Sequence, residues 1–185
     1  MASERPLRAD ALRNRAQILE TAEVIITERG LEVPVSVVAM EVGVGVGTVY
    51  RHFPNKEALL AAILARKMGE VATAIEKFAD AEDVEAAFRD FLAYMIERTV
   101  ADRSLYEGLA AATGIDLGPD SDLGSALFAA QQRLLERAQS AGVVRPYFDV
   151  KDLKAFLAGC IVMAEHGADP ADVVEIVANG LKPKR

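Results

Sequence analysis

The chain has 185 residues, 51% of them hydrophobic, and a formal net charge of -7. That inventory supports a sizeable core, and the acidic balance excludes a general polyanion binder, which needs a strongly basic surface. One cysteine, Cys160, excludes an internal disulfide, the opening Met1-Ala2-Ser3-Glu4-Arg5-Pro6 lacks the apolar core of a secretion signal, and no run approaches the roughly 18 apolar residues of a membrane span, so a cytoplasmic protein is expected.

Residues 1–9, with Arg5 and Arg8, read either as a disordered tail or as a basic arm. Residues 10–29 read as an amphipathic helix with Leu12, Ala16, Leu19, Ala22 and Ile26 on one face, Asp10 as its cap and Gly30 as its stop. Arg13 and Arg15 near its start read equally as phosphate ligands or as solvated charges. Val33-Pro34 opens a second helix, with proline pre-set for the first turn. Val38, Ala39 and Val42 form its apolar face. Gly43 ends it where a left-handed residue suits a tight turn. A third, short helix over Gly45–His52 sends Val49 and Phe53 inward at i,i+4 spacing, and Ala39 is small where two helices cross. A supporting helix, a tight turn and a second short helix make a helix-turn-helix. The outward residues of the second helix are Val46, Gly47, Thr48, Tyr50, Arg51 and His52. Asn55 caps the next helix and puts Lys56 at its start, where free backbone N–H groups attract anions.

The stretch Gly43-Val44-Gly45-Val46-Gly47-Thr48-Val49-Tyr50-Arg51-His52-Phe53-Pro54-Asn55-Lys56-Glu57-Ala58-Leu59 resembles the signature of TetR-type transcriptional repressors. The resemblance covers about the first 70 residues. It implies that Thr48, Tyr50, His52 and Lys56 hold DNA phosphates. It also implies that Gly45, Val46, Gly47 and Arg51 lie nearest the bases. Pro34 stands where the family often has Thr or Ser, which leaves Ser36 to supply a supporting contact. Val46 replaces a residue that is commonly polar, and reads either as a contact to a thymine methyl or as a plain surface valine. The expected partners are a double-stranded DNA operator, a second copy of the chain and an unknown small hydrophobic or amphipathic effector.

Charge divides with the chain. Residues 1–56 carry seven basic and seven acidic residues, and residues 57–185 carry fourteen and twenty-one. The expected fold is all-α, with an N-terminal three-helix DNA-binding head over 1–56. A helical ligand-binding and dimerisation body follows over 57–185, and a helix over 55–78, marked by Leu59, Ile63, Val71 and Ile75, links the two. Asp83 caps a helix to about Ala101. Ser104-Leu105-Tyr106-Glu107 has the spacing of a capping box and predicts a separate short helix before Gly114. Gly114–Asp122, with Gly118-Pro119, reads as a loop. Helices follow over about Leu123–Ala141, Asp149–His166 and Asp169–Asn179. No strand is expected, because Val143-Val144-Arg145-Pro146 is too short and ends at proline.

The helix over 150–166 is apolar nearly all round, so more than one side needs cover. The last two helices are therefore the expected homodimer interface, with Leu153, Leu157, Ile161, Val173, Ile176 and Val177 as candidates. Candidate effector-pocket residues between the body helices are Phe91, Tyr94, Met95, Tyr106, Phe128, Phe156 and Met163, each also explicable as ordinary core.

Catalysis is not expected. His52 lies within the signature, Cys160 sits on an apolar helical face, and His166 is six residues from Cys160. No H-E-x-x-H, C-x-x-C, nucleophile-elbow or phosphate-loop pattern occurs, and no cofactor or metal is called for. The remaining rival is a dimeric helical protein-protein interaction module without sequence-specific DNA binding. The eight valines between Val33 and Val49 keep it open. Salt dependence separates the two, because phosphate contacts weaken steeply with ionic strength.

Overall fold

The structure, a computed structural model, describes residues 4–116 and 121–183, with side chains from residue 10 onward except at 122. Among the described residues eight helices run in order: α1 (Glu4–Arg29), α2 (Val35–Val42), α3 (Val46–His52), α4 (Lys56–Asp80), α5 (Val84–Thr113), α6 (Asp122–Ser140), α7 (Val150–Glu165) and α8 (Pro170–Leu181). Among the described residues there is no strand. No helix among them is long and apolar enough to cross a membrane. The expected Gly118-Pro119 turn lies outside the described residues.

Two compact units emerge, Met1–Arg66 with Ser104–Ile115, and Lys67–Arg103 with Asp116–Arg185. The division therefore falls inside α4 and α5, whereas the expected one fell between residues 56 and 57.

In the first unit α1 packs on α2 and α3. Its buried stripe is Ile18, Leu19, Ala22, Ile25 and Ile26. Leu12, expected on that face, is 68% exposed, and Ala16 is exposed as well. The helix begins at residue 4, so its first turns run ahead of the packed stripe. The backbone of residues 4–9 is helical where a disordered tail or a basic arm was expected. Pro6 falls in the first turn, where its missing N–H interrupts nothing. Asp10 is inside the helix and accepts from Arg13. Pro34 is the N-cap of α2 with no side-chain hydrogen bond. Gly43 takes φ 76°, and Val44 N–H donates to Ala39 O at 2.9 Å. Asn55 Oδ1 accepts from Ala58 N–H at 2.7 Å and so caps α4.

The second unit has one core, which includes Val71 and Ile75 from α4, Phe88, Phe91, Leu92 and Ile96 from α5, and Leu134, Leu135 and Ala138 from α6. Leu153, Leu157 and Cys160 from α7 and Val173, Val177 and Leu181 from α8 complete it. Burial raises the Cys160 thiol pKa. Asp149 and Asp152 form a reciprocal capping box on α7, and Asp169 caps α8 through Ala171 N–H at 2.8 Å. Arg145 N–H donates to Leu181 O at 2.9 Å, tying the α6–α7 connection to the end of α8. Arg103 meets both oxygens of Glu165, at 2.9 and 3.1 Å.

One boundary expectation fails. α5 is a single helix of 30 residues, and the separate helix expected from Ser104 does not exist. Ala101-Asp102-Arg103-Ser104 contains neither glycine nor proline, so nothing stops the backbone until Gly114, which takes φ 65°.

Candidate nucleic-acid interface

Helix α3 is anchored on one side only. Val49 is fully buried and Phe53, which follows the helix, is 2% exposed. Gly45 is the extended N-cap, and Thr48 N–H donates to its carbonyl at 2.8 Å. With Val49 fixed at the inside, the helical period turns Val46, Gly47, Tyr50 and Arg51 to solvent. Val46 is 38% and Tyr50 44% exposed. Thr48 and His52 are half-buried at the flanks, as is Lys56 at the first position of α4. Ser36 is exposed in the first turn of α2, and Gly45 is open to solvent at the turn.

The electrostatics of these donors set them apart. Arg13 is paired with Asp10, Arg29 lies 3.7 Å from Glu41, and Arg66 lies 3.4 Å from Glu23. Tyr50, Arg51, His52, Lys56 and Ser36 make no side-chain hydrogen bond or ion pair among the described residues. The exposed phenol and guanidinium of α3 and the half-buried ammonium at the start of α4, free of carboxylates among the described residues, form a set of donors suited to an external anion.

The second unit places the remaining candidates differently from expectation. Leu153, Leu157, Val173 and Val177 are buried in the core of their own protomer, so they offer no surface to a partner. Ile161 is half-buried, and Ile176 is 64% exposed. The outward stripe of α7 is Phe156, Val162 and Met163, at 44, 47 and 43% exposure. Phe156 and Met163 are therefore not interior pocket residues. The all-round apolarity of α7 combines two stripes, and the packing of α7 against α6 and α8 decides which one turns inward. Phe91 is fully buried among Phe78 and Phe88, with ring centroids at 6.4 and 6.0 Å. The Tyr94 ring lies tilted at 55° to that of Phe78 with centroids 5.8 Å apart, Met95 packs against the same core, and Phe128 carries Lys154 over its ring at 5.5 Å. Tyr106 belongs to the first unit.

Two buried polar residues had no signature in the sequence. Lys67 is 6% and Gln131 2% exposed, and Gln131 Oε1 has no hydrogen-bond partner among the described residues. Gln131 takes a core position on α6 between Ala130 and Leu134, and only its interruption of an apolar stripe marks it.

A helix-turn-helix head with unpaired donors on its second helix, followed by a helical body, is the architecture of a DNA-binding transcriptional regulator. Residues 18–63 match the bacterial regulatory proteins of the tetR family, and residues 83–183 match the C-terminal domain of SbtR-like transcriptional regulators. A TetR transcription regulatory protein from Mycobacterium vanbaalenii is 35% identical over 96% of this chain and 100% of that one, with a TM-score of 0.73. A TetR transcriptional regulator from Streptomyces coelicolor is 26% identical over 92% and 99% of the two chains, with a TM-score of 0.70. An HTH-type transcriptional regulator of Staphylococcus aureus is 35% identical over 75 residues, and that match spans 40% of this chain and 40% of that protein. The chain belongs to the TetR family of transcriptional regulators.

Proposed function

We propose that the protein is a homodimeric repressor that binds a pseudo-palindromic operator and releases it when a small hydrophobic or amphipathic effector binds the body. The observation that carries the DNA half is the set Tyr50, Arg51 and Lys56, without side-chain partners among the described residues, held at and just beyond a recognition helix whose other side is locked by Val49 and Phe53. Thr48, Tyr50, His52 and Lys56 serve as phosphate ligands, with Ser36 in support. Gly45, Val46, Gly47 and Arg51 lie nearest the base edges, where the two glycines allow close backbone approach. The exposed apolar stripe of α7 and Ile176 of α8 meet the same surface of a second chain. Two heads so paired suit half-sites about one helical turn apart, roughly 34–36 Å.

The effector half is supported by the aromatic cluster around Phe78, Phe91 and Tyr94 and by the unpartnered amide of Gln131 in the same unit. An effector that prefers a non-binding spacing of the heads shifts the population away from DNA.

The test is binding of the purified protein to DNA flanking its own gene at two salt concentrations. A specific, salt-sensitive complex of one dimer per site is expected, and Lys56→Ala weakens it. Equal binding by Lys56→Ala and wild type at moderate salt sinks the phosphate assignment. Salt-insensitive binding, or none from a folded dimer, sinks the operator reading.

A further inference from the structure

Arg15 on α1 lies over the ring of Phe53, its Cζ 4.9 Å from the centroid. Phe53 is 2% exposed and immediately follows α3, so the stack fixes Arg15 at the C-terminal end of the recognition helix. It is therefore at the end of the head where His52 precedes the ring and Lys56 opens α4. Arg15 itself is exposed.

Among the arginines of the first unit whose side chains are described, Arg13, Arg29 and Arg66 each have a carboxylate partner. Arg15 and Arg51 have none among the described residues. Arg51 is on the recognition helix. Arg15 is on a supporting helix, at the only stacked position in that set. Stacking occupies the face of a guanidinium and leaves its N–H edge free to donate, which suits a phosphate in a fixed place.

We infer that Arg15, held by the Phe53 ring, is a further phosphate ligand of the DNA-bound head, and that Arg13, paired with Asp10, is not. This rests on the DNA-binding reading above. Because Arg15 meets backbone and not base edges, it contributes affinity without sequence preference.

The experiment is the slope of log binding constant against log salt for wild type, Arg13→Gln, Arg15→Gln and Arg15→Lys. The DNA flanking the gene and an unrelated duplex of equal length serve as probes, and each variant's melting temperature is recorded. Arg15→Gln is expected to reduce the slope by about 0.9 per head, to weaken binding roughly eightfold per head at 0.1 M salt, and to leave the ratio between the two duplexes unchanged. Arg15→Lys restores the slope because it restores the charge, and Arg13→Gln keeps the wild-type slope. A lowered melting temperature with the slope intact in Arg15→Gln means that Arg15 only covers Phe53, and this overturns the inference. So does a slope that Arg15→Lys fails to restore. A wild-type protein without salt-dependent binding overturns the DNA reading itself and this inference with it.

Discussion

Gly108 on α5 approaches Leu31 so closely that a Cβ at Gly108 would lie 2.6 Å from Leu31 Cδ1. Both residues belong to the first unit, so the late part of α5 packs where the α1–α2 turn passes. Glycine in a helix interior costs about 1 kcal/mol relative to alanine, and here it preserves a contact. Gly108→Ala should therefore stabilise the protein by less than that, because the end of the Leu31 side chain must move. In a Leu31→Ala background the same change should stabilise by about 1 kcal/mol. Chemical denaturation of the two single variants and the double variant gives the coupling, and additivity within about 0.5 kcal/mol would show that the two side chains do not compete for space.

The two sides of the DNA assignment separate by sequence preference. Tyr50→Ala should weaken binding to every duplex, since a phosphate ligand reads no sequence. Val46→Ser and Arg51→Gln should alter which base is preferred at one or two positions of each half-site, by about 1–3 kcal/mol per position. Selection from random DNA measures this directly. An unchanged preferred sequence in Arg51→Gln would remove Arg51 from the base-reading set.

Gln131 is 2% exposed, and its Oε1 has no partner among the described residues. A buried acceptor left unsatisfied costs about 1–3 kcal/mol. Gln131→Leu, similar in volume and apolar, should raise the melting temperature by about 2–12 °C, at about 2–4 °C per kcal/mol for a chain of this size. Calorimetry checks it. A fall in melting temperature would mean that a buried water satisfies the amide. If the amide serves the effector, the same variant should hold its operator at effector concentrations that release the wild type.

Much of the head was legible in the sequence, because its boundaries depend on local chemistry. Gly43 is the αL stop of α2, Asn55 caps α4, and Val49 and Phe53 are the buried i,i+4 pair, while Val46 and Tyr50 at the same spacing face solvent. The body was less so. Ser104 to Glu107 has the spacing of a helix start, yet serine and glutamate are also tolerated inside a helix, and no residue between Ala101 and Ser104 breaks the chain. In α7 the sequence shows two apolar stripes and contains nothing that ranks them. Only the position of neighbouring α6 and α8 sends Leu153 and Leu157 inward and leaves Phe156 and Met163 outside. The Arg15–Phe53 stack joins residues 38 positions apart and has no local signature.

Glu85 in the first turn of α5 accepts from Lys182 Nζ at 2.9 Å and from Arg89 Nη2 at 3.2 Å. The Lys182 hydrogen bond, then that of Arg89, hold its carboxyl below the usual glutamate value. A carboxyl that is more acidic in the folded chain stabilises it above the unfolded pKa, about 4.3, and that contribution disappears as pH falls through the folded value. The melting temperature of Glu85→Gln should thus lie slightly below wild type at neutral pH, and the gap should close as pH drops through the acid range below about 4. The effect is small and shrinks with added salt, because the pair is exposed. A gap that stays constant with pH would place the cause in packing and not in charge.

Ile176 tests the proposed dimer with the fewest side effects. It is 64% exposed, so replacing it disturbs little within the protomer. Asp172 and Glu175 share its surface. Ile176→Glu puts a third carboxylate on that face, and in a two-fold assembly the substitution occurs twice across one interface. Sedimentation should then show a monomer with a near-wild-type melting profile when extrapolated to low protein concentration, and cooperative operator binding should disappear. Leu157→Ala serves as the contrast, since Leu157 is 5% exposed in the protomer core. It should destabilise the fold by about 2–5 kcal/mol through the cavity it leaves, with little direct effect on association. A stable dimer of Ile176→Glu would move the interface off the exposed face of α8. Dissociation by Leu157→Ala of a fully folded protomer would instead return the buried stripe of α7 to the partner.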